Sequence, residues 1–444
     1  MSLTSSIGLM AIFAVDFIDM IFIAMLGKEA LAAAVGYAGA ILFFTTSFGI
    51  GMAIAAGALV ARALGAGDTD LARRRATNAL LYGLIFGAAF AALVWSRLDE
   101  IVGLVGATGE TKRFAVEYLA IIVPTLPLLM IGMVGSAILR AHGDARRAMM
   151  ATIYGGVVNA VLDPILIFGL DLELTGAALA SVAARFAIAA TALLPVLRHH
   201  GGFTMPSARG LMADLSPVLT IAAPAILTQL ATPVGQAYVT RAMAAYGPEA
   251  VAGTAIVGRL TPLAFGVVFA LSGAIGPIIG QNFGAGNHDR VRAAFREGLL
   301  FTAVVVVAIA AVLYILRAPI AALFAAEGMT LTLVLLFCGP LALAFFFNGV
   351  IFVANAAFNN LGHPLYSTWI NWGRHTLGTI PPVMLCAWLF GAPGVLIGQA
   401  LGGVVFAAIA WVLALRIMSG DGTTKEREPF SRQARLMALF HLRR

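Results

Sequence analysis

"LGAGDTDLARRRATNALL", Leu64 to Leu81, returns as "FGAGNHDRVRAAFREGLL", Phe283 to Leu300, with Gly65, Asp70 and Arg73 matched by Gly284, Asp289 and Arg292. The offset is 219 residues. "RAHGD", Arg140 to Asp144, meets "NNLGH", Asn359 to His363, at the same 219, and "LGKEALAA", Leu26 to Ala33, meets "YGPEAVAG", Tyr246 to Gly253, at 220. Three separate matches at one period mark an internal duplication, and the fold follows from what lies between them.

What lies between is almost wholly apolar. Hydrophobic residues make up 61% of the 444, charged residues 11%, and the mean hydropathy is +0.95; soluble domains carry roughly 25% charged residues. Only helices and closed barrels satisfy their backbone in lipid. The runs are continuous rather than alternating, which selects helices over a barrel. Twelve spans are expected at 5–26, 34–61, 76–96, 115–139, 148–170, 176–197, 216–244, 250–282, 295–316, 329–360, 366–390 and 393–418. Each repeat then holds six, an even number, so both halves enter the membrane from the same side as parallel repeats. The expected fold is an all-α integral membrane protein with two pseudo-symmetric six-helix bundles around a central cleft. Residues 1–197 form the first bundle, 198–215 a linker, 216–418 the second bundle and 419–444 a basic tail.

Lys and Arg in the short loops set the orientation. The side shared by the termini carries 19 of them and the opposite loops 5, Lys28, Arg97, Lys112, Arg113 and Arg317. A multi-pass protein of the bacterial inner membrane with both termini in the cytoplasm is expected. The net charge of +7 is then an orientation signal, and no nucleic-acid partner is needed to explain it. The opening "MSLTSSIGLMAIFAVDFIDMIF" lacks a positive n-region and runs into a full span, which argues against a cleaved signal peptide. Cys338 and Cys386 fall inside spans, where a disulfide framework is not expected.

The two halves differ in their acids. Asp16, Asp19 and Asp163 fall well inside spans of the first half, whereas Glu249, Asp289, Glu297 and Glu327 lie in loops or at helix ends. The repeat carries Asp19 to Val239, Asn159 to Gly378 and Asp163 to Pro382. A carboxylate at the bilayer centre costs about 2.5 kcal/mol or more, so such groups face a cavity or a partner and mark ion pathways; the plainer reading is a structural hydrogen bond between helices. Asn159 and Asp163 are four apart and Asp16 and Asp19 three apart, so each pair shares a helical face. Pro164 removes the usual partner of the Ala160 carbonyl. Crowded, desolvated carboxylates raise one another's pKa and hold a proton, while the same oxygens suit sodium, with Asp19, Asn159 and Asp163 as ligands. The residues leave both open.

Taken with the twelve spans, "VDFIDMIFIAMLGKEALAAA", "ALGAGDTDLARR", "RAHGDARRAMMATIYGGVVNAVLDPILIFG" and "GQNFGAGNHDRVRAA" together resemble the multidrug and toxic compound extrusion (MATE) family. The resemblance implies a non-enzymatic antiporter, without cofactor, that moves amphipathic, typically cationic, organic compounds outward against protons or sodium. Its cation site would use Asp19, Asn159, Asp163 and Ser181, with Asp16 as an additional acid. The first helix lacks the proline at which some family members are thought to bend. The branch of the family with acids in the second lobe is poorly matched, since the seventh helix offers Gln229 and Gln236 and the tenth Asn348 and Asn355. Coupling is therefore expected in the first half alone.

Phe43, Phe44, Met130, Met133 and Tyr238 are candidates for a soft wall around the substrate, with Gln229, Gln236 and Asn355, although lipid-facing or core packing is the better account of any one of the apolar residues taken alone. Arg185, Arg241 and Arg259 read as snorkelling or as pairing with helix ends; Arg374, in "NWGRHTLG", lies deeper and is a cleft candidate. The glycines at 65–67 and 284–286 read as helix stops, since no Lys-Ser/Thr follows as a phosphate loop requires. "SRQARLMALFHLRR" has the pattern of an amphipathic helix on an anionic leaflet. Partners are expected to be small organic substrates and lipid, and the protein a monomer. The rival functions are a flippase for lipid-linked sugars or polyisoprenoids, which would need a strongly basic cleft where this chain concentrates acids, and an intramembrane enzyme, for which no motif is visible.

Overall fold

The computed structural model describes residues 22–23, 25–26 and 29–419. The first expected span falls almost entirely outside them, as do Asp16, Asp19 and the tail. The first half comprises α1 (Glu29–Gly65), α2 (Thr69–Ser96), the short α3 (Leu98–Leu104), α4 (Gly109–Ile122), α5 (Leu126–Ala141), α6 (Ala145–Pro164) and α7 (Glu173–His199). The second comprises α8 (Ala208–Ala244), α9 (Pro248–Gly284), α10 (His288–Leu323), α11 (Gly328–Leu336), α12 (Ala342–Asn360), α13 (Pro364–His375), α14 (Ile380–Phe390) and α15 (Ala392–Ser419). Among the described residues, ten helical segments are long and apolar enough to cross a membrane. Several overshoot it: the 37 residues of α1 span about 55 Å, against a hydrocarbon core of about 30 Å.

One expected span breaks outright, beyond the short 3-10 and π turns that divide 115–139 and 329–360. Residues 366–390 do not form one helix but the pair α13 and α14, broken over 376–379, with Thr376 at ψ −83°. Pro381 and Pro382 have no N–H to give the carbonyls of Leu377 and Gly378. On the other side of the break, the carbonyls that end α13 are bonded locally: Gly378 N–H donates to the Gly373 carbonyl and Thr379 Oγ1–H to that of Arg374. Gly402 of α15 then lets the bent chain close in, because a Cβ there would run into the Gly378 carbonyl. The corresponding stretch of the first half is interrupted too, where α6 ends at Pro164 and passes through a π turn, Ile165–Gly169. Interrupted helices at matching places in two repeats are where transporters of this architecture place their sites.

The helix-free connection between halves is shorter than the expected linker, 200–207, because α7 runs to His199 and Ser207 caps α8 by accepting from Gly210 N–H. At this end His200 packs on His142 with ring centroids 4.5 Å apart, and its Nε2 lies 3.0 Å from Asp144 Oδ2. Asp214 on α8 is buried between Arg74 and Asn78 of α2.

Among the described residues the halves meet at one end only. Four of the five buried apolar clusters lie within a single half, and the fifth joins Met52 to Ala63 of α1 to Val218, Ile221 and Ala222 of α8. This is the end carrying the Arg-rich turns. There Arg62 donates to the carbonyls of Asn360 and Asn359 at 2.8 and 2.9 Å, and Gln281 donates to that of Ala141 at 2.6 Å. The 219-residue offset carries Arg62 to Gln281 and Ala141 to Asn360, so these are one contact made twice about a pseudo-two-fold axis. The matched glycines complete it. A Cβ on Gly65 would collide with the Gln281 backbone, and one on Gly284 with that of Arg62. Gly65 and Gly284 are therefore not only helix stops; they let α1 and α9 touch backbone to backbone. At the opposite end Gly36, Gly39 and Gly258 have nothing within 4 Å of where a Cβ would sit, and the halves stand apart.

Candidate functional site

Between the separated halves lies a cleft of about 1600 Å³, lined by residues of both. That exceeds the roughly 300–1,000 Å³ of ordinary ligand pockets and suits large organic solutes. It narrows at the basic end against Arg140 and Asn360 and opens at the other past Val35, Gly36 and Thr254.

On the first-half wall, Asn159 and Asp163 sit one turn apart in the last turns of α6, where Asn159 Nδ2 donates to Asp163 Oδ2 at 3.3 Å. Asp163 is 0% exposed, while Asn159, nearly as buried, still reaches the cleft lining. Ser181 of α7 lines the cleft on the same wall. α7 comes this close because Gly176 packs directly on the Leu166 and Ile167 backbone of the π turn, where a Cβ would meet atoms at 2.7 to 2.9 Å. The structure thus brings Asn159 and Asp163 together beside a chamber that Ser181 also faces. Asp16 and Asp19 lie outside the described residues. Among the described residues no cluster of three or more His, Cys, Asp or Glu forms a metal site.

Of the expected substrate wall, Phe43, Met133, Gln229, Gln236, Asn355 and Arg374 line the cleft, and Met130 and Tyr238 do not. Met130 is 1% exposed and faces Gly87 of α2 in the first-half core. It is only three residues from Met133, so a small difference in helical phase puts one in the core and the other at the cleft. Tyr238 packs against the cluster of Val239, Met243 and Val395. Phe44 is exposed away from the cleft. Sequence reasoning passed over a second-half aromatic wall: Phe269 lies 5.7 Å from Phe345 and 5.2 Å from Phe352, centroid to centroid, and all three line the cleft.

The charges differ from expectation. Four arginines from four helices line the cleft, Arg140 of α5, Arg185 of α7, Arg259 of α9 and Arg374 of α13, and no carboxylate among the described residues does. Arg185 does pair with a helix end, donating from Nη1 to the Ile122 carbonyl and Thr125 Oγ1, both at 2.8 Å. Arg241 is exposed and off the cleft. Arg140, Arg259 and Arg374 form no hydrogen bond or ion pair with any described residue. A charged side chain at membrane depth costs roughly 2.5–3.5 kcal/mol, a cost that falls on Arg259 and Arg374, while Arg140 lies in the last turn of α5 at the basic end. The signal in the sequence was the presence of arginines inside spans; their convergence with Arg140 was not visible there.

The MatE family profile matches residues 5–165 and 224–385, and the two matches start 219 residues apart. Among curated relatives, a protein described as an FAD transporter from Shewanella oneidensis is 29% identical, covering 94% of this chain and 93% of its own. The multidrug export protein MepA of Staphylococcus haemolyticus is 24% identical over 92% of this chain and 90% of its own. A probable multidrug resistance protein NorM of Pseudomonas putida is 30% identical over 69% and 68%. Among solved structures, a variant of the Vibrio cholerae MATE transporter VcmN superposes with a TM-score of 0.90 at 24% identity, covering 95% of this chain and 96% of that one.

Proposed function

The chain belongs to the MatE family, and is a multi-pass membrane transporter rather than an enzyme; from that premise we propose that it is a secondary antiporter expelling organic solutes in exchange for protons or sodium. The observation that carries this reading is the pairing of a cleft closed at one end with a buried Asn159–Asp163 pair beside it. With the basic end in the cytoplasm, as the positive-inside rule expects, the conformation described is outward-facing. Proton or sodium enters from outside to Asp163, joined by Asp19 of the first span. The neutralised site favours closure of the outer end and parting of the Arg62, Gln281 and glycine contacts at the inner end. Cytoplasmic solute then binds and displaces the ion. Each ligand drives the cycle only through its unequal affinity for the two states.

The relatives are named for two kinds of cargo, drugs and FAD, and the antiport reading covers both. It is tested in proteoliposomes by following solute movement under proton and sodium gradients imposed separately. Uphill movement under one of them is expected; movement that ignores both gradients would overturn antiport and favour a flippase.

A further inference from the structure

We infer that the cleft selects organic anions, aromatic molecules bearing a phosphate or carboxylate, rather than the organic cations expected from the family resemblance; this rests on the antiporter reading and names its cargo. The geometry carries it. Counting 1.5 Å per residue along each helix, Arg259 lies about 16 Å below the outer end of α9, Arg185 about 18 Å below that of α7, and Arg374 about 15 Å above the basic end of α13. Arg185 and Arg374 therefore stand near mid-depth on opposite walls, and Arg259 stands nearer the mouth, in the outer third of the 37-residue α9. Arg140 forms the floor, its Nε 3.8 Å from where a Cβ of Gly273 across the interface would sit.

Four guanidiniums outnumber the acids even if Asp16, Asp19 and Asp163 were all ionised and all faced the cleft, and Asp163 is buried behind Asn159. The excess sits in a cleft closed at one end between apolar walls, where charge attracts more strongly than in open solvent. Arginine's planar fork is suited to phosphate and carboxylate, and three of the four have no partner among the described residues. On the second-half wall, Phe269, Phe345 and Phe352 line the cleft and offer apolar aromatic surface to a flat body. An organic cation would meet like charges at every level of this passage and no described carboxylate. The same anion chemistry occurs on lipid phosphates; we commit to a soluble aromatic anion, because the aromatic wall complements a flat ring rather than an isoprenoid tail.

The test uses flavin mononucleotide, neutral riboflavin, which lacks only the phosphate, and ethidium as the cation, with equilibrium binding to the purified full-length protein and counterflow in proteoliposomes. Flavin mononucleotide is expected to bind at least about tenfold tighter than riboflavin, with ethidium weakest. Arg374→Gln and Arg140→Gln should each erase most of the difference between the two flavins, and Arg374→Lys should restore part of it. A general folding defect would weaken both flavins together, so the ratio reads charge recognition alone, and the wild-type comparison needs no variant. Equal binding of the two flavins, or preference for ethidium, overturns the inference. So does capture of a short isoprenyl phosphate in place of flavin mononucleotide, which would move the anion site to lipid. If ethidium is driven uphill while flavin mononucleotide is not, antiport stands and the inference fails; if no solute responds to a gradient, antiport fails while binding still ranks the three probes.

Discussion

Replacing Gly65 with alanine should unlock the closed end. In the structure a Cβ at this position would lie 2.6 and 2.7 Å from the carbonyl carbon and Cα of Gln281 and would meet its oxygen closer still. Carbon atoms rest 3.5–4.0 Å apart, so α1 and α9 would have to part by about 1 Å, and neither can yield by turning a side chain because every atom met is backbone. Overpacking of this kind costs about 1–3 kcal/mol. The helix-propensity gain of alanine over glycine, about 1 kcal/mol, is present in both states and cancels. The clash exists only while the halves touch at this end, so the ratio of closed to open states should fall about 5- to 150-fold. Spin labels at Leu104→Cys and Leu323→Cys, on the outer turns of the two halves, with Cys338 and Cys386 replaced by alanine, report the outer gap by electron-electron double resonance. Gly65→Ala should move the population toward the shorter distance, and Gly284→Ala, the same contact from the other half, should do likewise. An unaltered distance distribution in both Gly65→Ala and Gly284→Ala would refute the backbone-contact reasoning.

Other consequences can be measured alongside. Gly402→Ala places a Cβ against the Gly378 carbonyl at the break between α13 and α14; it should lower the thermal midpoint in detergent by an amount corresponding to about 3 kcal/mol, whereas Gly403→Ala, whose Cβ meets nothing within 4 Å, should not. His142, outside the spans, has its imidazole pushed below its usual range by burial, with its bond to the Ile138 carbonyl opposing and neighbouring His200 adding to the shift. The unfolded chain therefore takes up a proton near pH 6.5 that the folded one resists, and stability contributed above that pH is lost as pH falls through the folded value. Thermal midpoints between pH 7.5 and 5.5 should decline, and His142→Gln should make the decline shallower.

The duplication at 219 residues was legible because both halves still obey it, down to Arg62 and Gln281 making mirrored contacts. The acid on α6, Asp163, was legible for a simpler reason: a carboxylate in an apolar run stands out by itself. The break at 376–379 was not, because residues 366–390 read as one apolar stretch, although Pro381 and Pro382 were its trace. Met130 and Met133 could not be separated, since the edge of a cleft-facing stripe is decided by what packs on it. The glycines of the repeat were read as helix stops because nothing local distinguishes a stop from a contact with a helix far away in the sequence. The sign of the cleft was hidden for a deeper reason. Read singly, Arg140 is a cytoplasmic-side charge, Arg185 and Arg259 are snorkelling or helix-end groups and Arg374 is a cleft candidate, and only when four helices converge do the four side chains become one field.

The central claim is that a buried carboxylate of the first half couples ion entry to solute exit, and Asp163→Asn tests it most directly, measured for both downhill counterflow and gradient-driven accumulation of one solute in the same proteoliposomes. The asparagine keeps the shape and the neighbour Asn159, so the cleft should still exchange solute down its gradient while accumulation is lost. Uphill transport persisting in Asp163→Asn at the wild-type level would contradict the account.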